Sequence, residues 1–331
     1  MKAAVIASTC LIITTSFAQN PFKGKDPVTT GSGDHRYETV PAWSELPEGK
    51  NYGNTHGNIA VDEAGNVYIT TDGPYSIMVY SPEGKHLRSF PKEYTRVHGL
   101  VIRKENGEEF LYAAHLGKAR AVKLKLDGSL VWEAPAPKEA NIGAYPKGYK
   151  PTGIAVSKDG TVFVADGYGT KLIHKYTNDG KYLTSFGGAG KEGATFKTGH
   201  DILIDTRSGT ERLLVCDRDN RRLVYLDLNG KFLSEPQTGL RRPCTADIRG
   251  DYMAIAELEG RVTLLDKNDK IVAHLGDNPD KTQWAKNPIP PAQWKDGVFT
   301  APHGIAFGPK GELYVMDWNR YGRVTKLVPK K

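Results

Sequence analysis

One short segment recurs six times along this 331-residue chain, and the repetition is the strongest constraint on its fold. Each copy has a polar or small residue at its second position, most often His, followed closely by an apolar run. The copies begin at Thr55, Val97, Pro151, Gly199, Pro243 and Pro302, at intervals of 42, 54, 48, 44 and 59 residues. Such self-similarity indicates a repeat architecture in which each unit is one supersecondary structure.

The pattern inside each repeat predicts four β-strands joined by tight turns. An alternating strand leads to a Gly-containing turn such as Lys158–Gly160; an apolar strand, a third strand and an Asn/Asp-Gly turn follow. Asn-Gly and Asp-Gly provide the positive φ that two-residue hairpins need. Helical periodicity is not sustained anywhere. The sequence therefore predicts an all-β protein, a six-bladed β-propeller with one blade per repeat.

The last repeat contains only three predicted strands, the third being Arg323–Val328. A propeller closes when a strand from the other terminus completes this blade, and closure removes the sheet edges that could pair with other chains. We therefore expect residues 51–331 to form the propeller. Residues 19–50 should form an N-terminal extension that contains the closing strand, Arg36–Val40.

The N-terminus has the pattern of a signal peptide. Lys2 precedes an apolar run from Ala3 to Ile13, and Ala18 ends a small-residue cleavage motif. We expect cleavage after residue 18, so that residues 1–18 are removed and the protein is exported to a periplasm or secreted. The apolar run is too short to cross a bilayer, and no other segment could do so.

The net charge of +7 raises the question of an acidic partner, but basic and acidic residues alternate along the chain. Neither a basic stripe nor an aromatic platform is present, so nucleic acid is not an expected partner. We expect a monomer that binds a small molecule, peptide or glycan at the mouth of the propeller channel.

Alignment of the six repeats places polar residues at two equivalent positions. The first opens the innermost strand, which lines the channel of a propeller, and the second ends the next strand. The first ring consists of His56, His98, Thr152, His200, Cys244 and His303. The second ring consists of Asp72, His115, Asp166, Asp217, Glu257 and Asp317.

Three histidines of the first ring are candidate metal ligands. His98, His200 and His303 occupy alternate repeats, 102 and 103 residues apart. Alternate blades of a six-fold ring are about 120° apart, so the three imidazoles would converge. Three His ligands with an open position suit zinc best, although another transition metal would fit. His56 is a candidate fourth ligand or acid/base group, with a structural role as the alternative.

The carboxylates of the second ring have two interpretations. An Asp at this point often fixes the next loop through backbone N–H groups, which is the role we expect for Asp72 and Asp317. Asp166 and Asp217 are further candidates for the metal site, because five crowded acids would repel unless some pointed away or a cation lay among them. We expect Cys244 to be a free thiol that packs as a small apolar residue.

Two stretches carry a resemblance to a known family. Residues 164–169 read VADGYG and residues 215–222 read VCDRDNRR. With the alternating histidines, they resemble the catalytic domain of peptidyl-α-hydroxyglycine α-amidating lyase, a six-bladed propeller of the NHL/TolB-like kind with a three-His zinc site. The resemblance covers residues 40–330 as a repeat pattern. It implies that His98, His200 and His303 bind zinc, that Tyr168 is the catalytic base and that Arg218 helps to hold the substrate.

The implied reaction cleaves the C–N bond of a hydroxyglycine-extended peptide to give a peptide amide and glyoxylate. A phenol needs a nearby cation to act as a base at neutral pH. The chain departs from the family at three places: Asp72 replaces an arginine, Gly169 replaces a disulfide cysteine, and Gly304 replaces a calcium-binding Asp. A Ca²⁺ ion would therefore lack its family ligand here.

Three functions remain open from the sequence. The favoured one is a metal-dependent lyase acting on a hydroxylated substrate. The second is a non-catalytic propeller that binds peptide, glycan or protein, although such a module does not need three alternating histidines. The third is a sugar-directed hydrolase or lactonase. Calcium-dependent lactonases of this fold would show Glu, Asn and Asp at the channel mouth, where this chain has His.

Overall fold

The computed structural model describes residues 20–46, 52–140 and 148–330, and the predicted signal peptide lies outside them. In these ranges the chain forms 25 β-strands in six antiparallel sheets, with helical turns limited to short 3-10 segments. The prediction of an all-β, six-bladed propeller is therefore confirmed. None of the described helical segments has the length and apolar character that crossing a bilayer requires.

Each sheet is one blade, and in five of the six blades the strands run outward from the channel in chain order. Blade 1 consists of β3 (Thr55–Val61), β4 (Val67–Thr71), β5 (Ile77–Tyr80) and β6 (His86–Ser89). Blade 2 consists of β7 (Val97–Glu105), β8 (Glu108–His115), β9 (Arg120–Lys125) and β10 (Leu130–Pro135). Blade 3 consists of β11 (Gly153–Val156), β12 (Val162–Ala165), β13 (Leu172–Tyr176) and β14 (Tyr182–Gly187).

The second half of the chain repeats this arrangement. Blade 4 consists of β15 (Gly199–Asp205), β16 (Arg212–Asp217), β17 (Arg222–Leu226) and β18 (Phe232–Thr238). Blade 5 consists of β19 (Pro243–Arg249), β20 (Tyr252–Glu257), β21 (Arg261–Leu265) and β22 (Ile271–Leu275). Blade 6 combines β23 (Pro302–Phe307), β24 (Leu313–Asp317) and β25 (Arg323–Pro329) with β1 (Thr29–Ser32) and β2 (His35–Val40).

The N-terminal extension closes blade 6 as predicted. Strand β2 pairs antiparallel with β25, with Thr39 opposite Leu327 and Val40 opposite Lys326. Strand β1, which the sequence did not predict, adds a fifth strand outside β2. The β2–β1 hairpin therefore protects the edge of β25, which would otherwise be open to pairing.

The apolar core consists of six large clusters, each between two neighbouring blades, and a small seventh cluster around Cys244. Because each blade buries both faces, strands such as β4 and β12 are buried along their whole length and are mostly apolar rather than alternating. The cluster between blades 6 and 1 includes Trp43 of the extension, whose ring lies 5.8 Å from that of Tyr80 and 4.9 Å from that of Tyr314. The extension thus seals the junction where the chain closes.

The innermost strands form a closed ring around the channel, and glycines let them approach closely. A Cβ atom on Gly99 would lie 2.8 Å from the Cα of Gly153 in the next blade. A Cβ atom on Gly153 would lie 2.7 Å from the Cα of Asp201 in blade 4. Any larger residue would push these strands apart. The narrow channel brings side chains from different blades into contact.

Replacing Thr39 by Pro is expected to destabilise the propeller by about 1–3 kcal/mol, because proline cannot donate a hydrogen bond inside a sheet and would leave the Val28 carbonyl without its donor. The Thr39 amide donates to the carbonyl of Val28 at 3.0 Å, and its hydroxyl donates to Asp296 at 2.9 Å. Thr39→Val removes only the hydroxyl and should lose less stability. Urea unfolding measures both effects, and equal stabilities of Thr39→Pro and wild type would contradict a contribution of the Thr39–Val28 hydrogen bond to the stability of the closing hairpin.

Candidate functional site in the central channel

Four residues of the first ring enter the channel because the inner strands bulge at that point. The β-ladder skips a residue between the first and third positions of β7, β15, β19 and β23. The skipped residues are His98, His200, Cys244 and His303. A bulge leaves the extra residue unpaired and redirects its side chain, here toward the channel.

The structure brings the predicted histidine trio together. The ring centroids of His98 and His200 are 4.8 Å apart, those of His200 and His303 are 4.7 Å apart, and those of His98 and His303 are 5.1 Å apart. These side chains are 2%, 0% and 1% exposed, respectively. Three imidazoles from alternate blades therefore form one buried cluster.

The orientation of each imidazole is fixed by the backbone of the following blade. The Nδ1 atoms of His98, His200 and His303 lie 2.7, 2.9 and 2.8 Å from backbone carbonyl oxygens. The acceptors belong to Thr152, Cys244 and Gly57, in that order. A carbonyl can only accept, so Nδ1 carries the hydrogen and Nε2 keeps a free lone pair. A backbone acceptor of this kind commonly orients a metal-binding histidine.

Burial keeps the three imidazoles neutral. Loss of solvent holds the pKa of His98, His200 and His303 well below the usual range, and neighbouring positive groups add to this. The Nε2 atoms of His98 and His303 are buried and have no hydrogen-bond partner. An unpartnered buried lone pair is costly, and a transition metal that binds neutral imidazole would satisfy it. These residues fit a metal ion.

Tyr168 and Arg218, the two predicted catalytic residues, contact this cluster. The hydroxyl of Tyr168 donates to Nε2 of His200 at 2.9 Å, and Nη1 of Arg218 donates to the same hydroxyl oxygen at 3.0 Å. Burial raises the pKa of Tyr168, and the charge of Arg218 opposes this only in part. The phenol therefore holds its proton in this state.

A chain of charges continues from Arg218 toward the surface. Asp219 lies between two arginines: Nη2 of Arg242 donates to it at 2.7 Å, and Nε of Arg218 lies 3.4 Å from it. Burial acts against the carboxylate, but these two cations hold the pKa of Asp219 well below its usual range. The hydroxyl of Thr198 also donates to it at 2.7 Å. Asp219 thus fixes the guanidinium that contacts Tyr168.

His56 stands at the more open side of the cluster. It is 16% exposed, and its ring lies 4.8 Å from the rings of both His98 and His303. Its Nδ1 donates to a carboxylate oxygen of Asp72 at 3.0 Å. Burial raises the pKa of Asp72, but the hydrogen bond and charge of His56 outweigh it and lower the pKa overall. An imidazole oriented by a carboxylate is suited to ligation or to proton transfer.

The interpretation of Asp72 as a loop anchor is wrong, and the reason lies in the register of blade 1. Thr55 pairs with Thr71, whereas in blade 4 the equivalent residue Gly199 pairs with Asp217 itself. Asp72 therefore lies one residue beyond the second-ring position. A shift of one residue sends a side chain to the opposite face of a strand.

The other acids of the second ring fix loops, as predicted for Asp317. Its Oδ1 accepts from the backbone amides of Thr300 and Ala301 at 2.9 and 2.6 Å. Asp166 and Asp217, the further candidates for the metal site, are placed in the same way. The donors are the amides of Lys150 and Thr170 for Asp166, and of Lys197 and Thr198 for Asp217. Within the described ranges, neither joins a cluster of metal-binding side chains.

Two overlapping groups of side chains in the described residues could hold an ion. The ligand atoms of His56, His98 and His303 lie within 4.8 Å of one another, and so do those of His200, Cys244 and His303. His303 belongs to both groups, whereas the predicted trio is divided between them, with His98 in the first group and His200 in the second. The sequence placed Cys244 on the same ring, but it gave no sign that the sulfur lies against two imidazoles.

A separate cavity of about 570 Å³ occupies the channel beyond the histidines. Its wall is apolar at residues such as Leu100 and Ile154, but it also includes Asp201 and Asp247, which the sequence analysis did not single out. Burial raises the pKa of Asp201 well above its usual range and that of Asp247 to about 6. This cavity shares no lining residue with the histidine cluster.

No family model matches this sequence, but solved structures share its fold. A streptogramin B lyase superposes with a TM-score of 0.57 at 16% identity, covering 91% of this chain and 98% of that chain. A catalytically inactive histidine-to-alanine variant of virginiamycin B lyase from Staphylococcus aureus, with quinupristin, gives 0.54 at 16% identity, covering 89% and 88%. A gluconolactonase from Xanthomonas campestris gives 0.57 at 13% identity, covering 92% and 95%.

At sequence identities of 13–16%, these structures show that the fold is shared and do not show a shared function. The chain is a six-bladed β-propeller whose structural neighbours include lyases and a lactonase. The resemblance to the amidating-lyase domain and to NHL repeats is not confirmed by these neighbours and stays a prediction.

Replacing Asp247 by Asn should stabilise the fold at alkaline pH. A carboxyl whose pKa is raised to about 6 keeps a proton that the unfolded chain releases near the ordinary Asp pKa of 3.8. Its contribution to stability is therefore present at low pH and is lost as the pH rises through 6. The advantage of Asp247→Asn over wild type should grow by about 3 kcal/mol between about pH 4 and about pH 8 in urea unfolding. An advantage that does not change with pH would contradict this.

Proposed function

We propose that this protein is an exported, metal-dependent lyase that acts on a hydroxylated substrate at the histidine end of the channel. The predicted signal peptide supports export. The observation that carries the proposal is the pair of buried, unpartnered Nε2 atoms on His98 and His303. Neutral imidazoles with fixed Nδ1 hydrogens are the form in which histidine binds metals.

His98, His200 and His303 would hold the ion, and zinc is the ion that best suits three imidazoles. When bound, such an ion polarises an oxygen of the substrate and makes its hydroxyl proton easier to remove. Use of His200 Nε2 as a ligand takes away the acceptor that Tyr168 has in the present structure. Tyr168 then keeps Arg218 as its neighbour, and a guanidinium beside a phenol favours the phenolate.

In this proposal, Tyr168 and Arg218 would perform the two tasks of a C–N lyase. As the phenolate, Tyr168 would accept the proton of the substrate hydroxyl and pass it to the leaving nitrogen as the C–N bond breaks and the carbonyl forms. Arg218, 13% exposed at the edge of the cluster, can face a substrate carboxylate. The substrate class that fits this chemistry is an α-hydroxyglycine peptide or a related hydroxylated acid.

The metal centre is tested by elemental analysis of gently purified protein. Wild type should carry stoichiometric zinc or another transition ion, and His200→Ala should carry much less, because it removes a donor atom from the cluster. His274→Ala is the matched control, since His274 hydrogen-bonds to Thr263 in blade 5 and should leave the metal content unchanged. Wild type without a transition ion, even after incubation with zinc, would contradict the proposal.

The reaction is tested by glyoxylate release from an α-hydroxyglycine peptide. We expect Tyr168→Phe to lower kcat by about 100-fold or more, because it removes the proton acceptor. Its zinc content should stay at the wild-type level, which separates catalysis from metal binding. Metal-loaded wild type that releases no glyoxylate would refute the amidating reaction, and the same preparation would then be assayed with sugar lactones.

A further inference from the structure

Cys244 lies on the same ring as the histidines and enters the channel by the same means. The ladder between β19 and β20 skips it, so its side chain is redirected just as those of His200 and His303 are. It is 0% exposed. Its sulfur and the ligand nitrogens of these two histidines lie within 4.8 Å of one another.

The surroundings of the thiol combine apolar contacts with positive charge. Leu258 and Ala301 pack against it. Burial raises the pKa of Cys244 to about 12, although the charges of Arg218 and Arg242 act in the opposite direction. In the absence of an ion the group is therefore a neutral thiol. Two cations beside it would nevertheless stabilise a thiolate once its proton had been displaced.

A second observation points to a ligand at the same place. Nε2 of His303, which is one of these two histidines, is buried and has no hydrogen-bond partner. A thiol does not satisfy an imidazole lone pair well, because S–H is a weak donor. A cation would satisfy the His303 nitrogen and the sulfur together.

We propose that Cys244 is a ligand of the metal ion and binds it through Sγ together with His200 and His303. The inference rests on the metal centre of the proposed function, and it assigns to that centre a thiolate that the three-histidine arrangement does not contain. Binding breaks the S–H bond, releases the proton to solvent and forms a sulfur–metal bond, with no change in oxidation state. A thiolate donor favours zinc and other soft or borderline ions over magnesium and calcium.

Cobalt substitution tests this assignment, because Co²⁺ reports its ligands by absorption. The metal-free full chain is titrated with Co²⁺ and followed in two spectral regions. Visible d–d bands show that the ion is bound by the protein, and an intense near-ultraviolet charge-transfer band appears only when a thiolate is a ligand. We expect wild type to show both.

The variants separate the two thiols of the described chain. Cys244→Ser should lose the charge-transfer band and bind Co²⁺ about tenfold or more weakly, since even outer-sphere partners of a metal are worth this much. Cys216→Ala removes the other buried thiol, which packs between blades 4 and 5, and should keep the band. Circular dichroism of both variants is the control that tests whether they are folded.

The outcomes distinguish the two proposals. Wild type with d–d bands but without the charge-transfer band would overturn the role of Cys244 and leave the metal centre intact. This spectrum is measured on wild type alone, so the test remains valid even if Cys244→Ser does not fold. Wild type without any Co²⁺ spectrum, under conditions in which zinc also fails to bind, would refute the metal centre and the thiolate ligand together. Loss of the charge-transfer band in Cys216→Ala but not in Cys244→Ser would assign the thiolate to Cys216 and would overturn the proposal.

Discussion

The hydrogen bonds between each channel histidine and the backbone of the following blade are the interaction on which the site depends. They fix the hydrogen on Nδ1, hold each ring in place and leave Nε2 facing the cluster. Because each acceptor belongs to another blade, the imidazoles are ordered only when the blades are assembled. His303 of blade 6 bonds to Gly57 of blade 1, across the junction that the N-terminal extension seals. Closure of the fold and orientation of the site are therefore coupled.

The sequence predicted the fold well because each repeat carries its own turn signals, and because equivalent positions in a rotationally repeated fold must face one another. The closing strand could be found since blade 6 lacks a strand and Arg36–Val40 is an alternating segment. The convergence of His98, His200 and His303 followed from the same symmetry. Strand β1 was missed because its sequence, Thr-Thr-Gly-Ser, carries no apolar pattern.

The parts that could not be predicted depend on local departures from the repeat. A one-residue difference in strand register in blade 1 makes Asp72 the hydrogen-bond partner of His56 instead of a loop anchor. The amino-acid sequence contains no signal for this difference in register. The position of the Cys244 sulfur within 4.8 Å of two imidazole nitrogens depends on a bulge in a strand whose sequence also suits a regular ladder. The cavity-lining acids Asp201 and Asp247 lie in strands that are otherwise typical of the core, so their shared cavity appears only in three dimensions.

A cluster of this kind is hard to explain as packing alone. A buried polar atom without a partner costs about 1–3 kcal/mol, and the site contains two such nitrogens, on His98 and His303. Leucine or valine at these positions would fill the channel without that cost. Protonation would not relieve it, since burial and the nearby charge of Arg218 hold the imidazoles neutral. The cation that we propose would pair with both nitrogens at once, and its positive charge would also favour the thiolate form of the neighbouring Cys244 as a metal ligand.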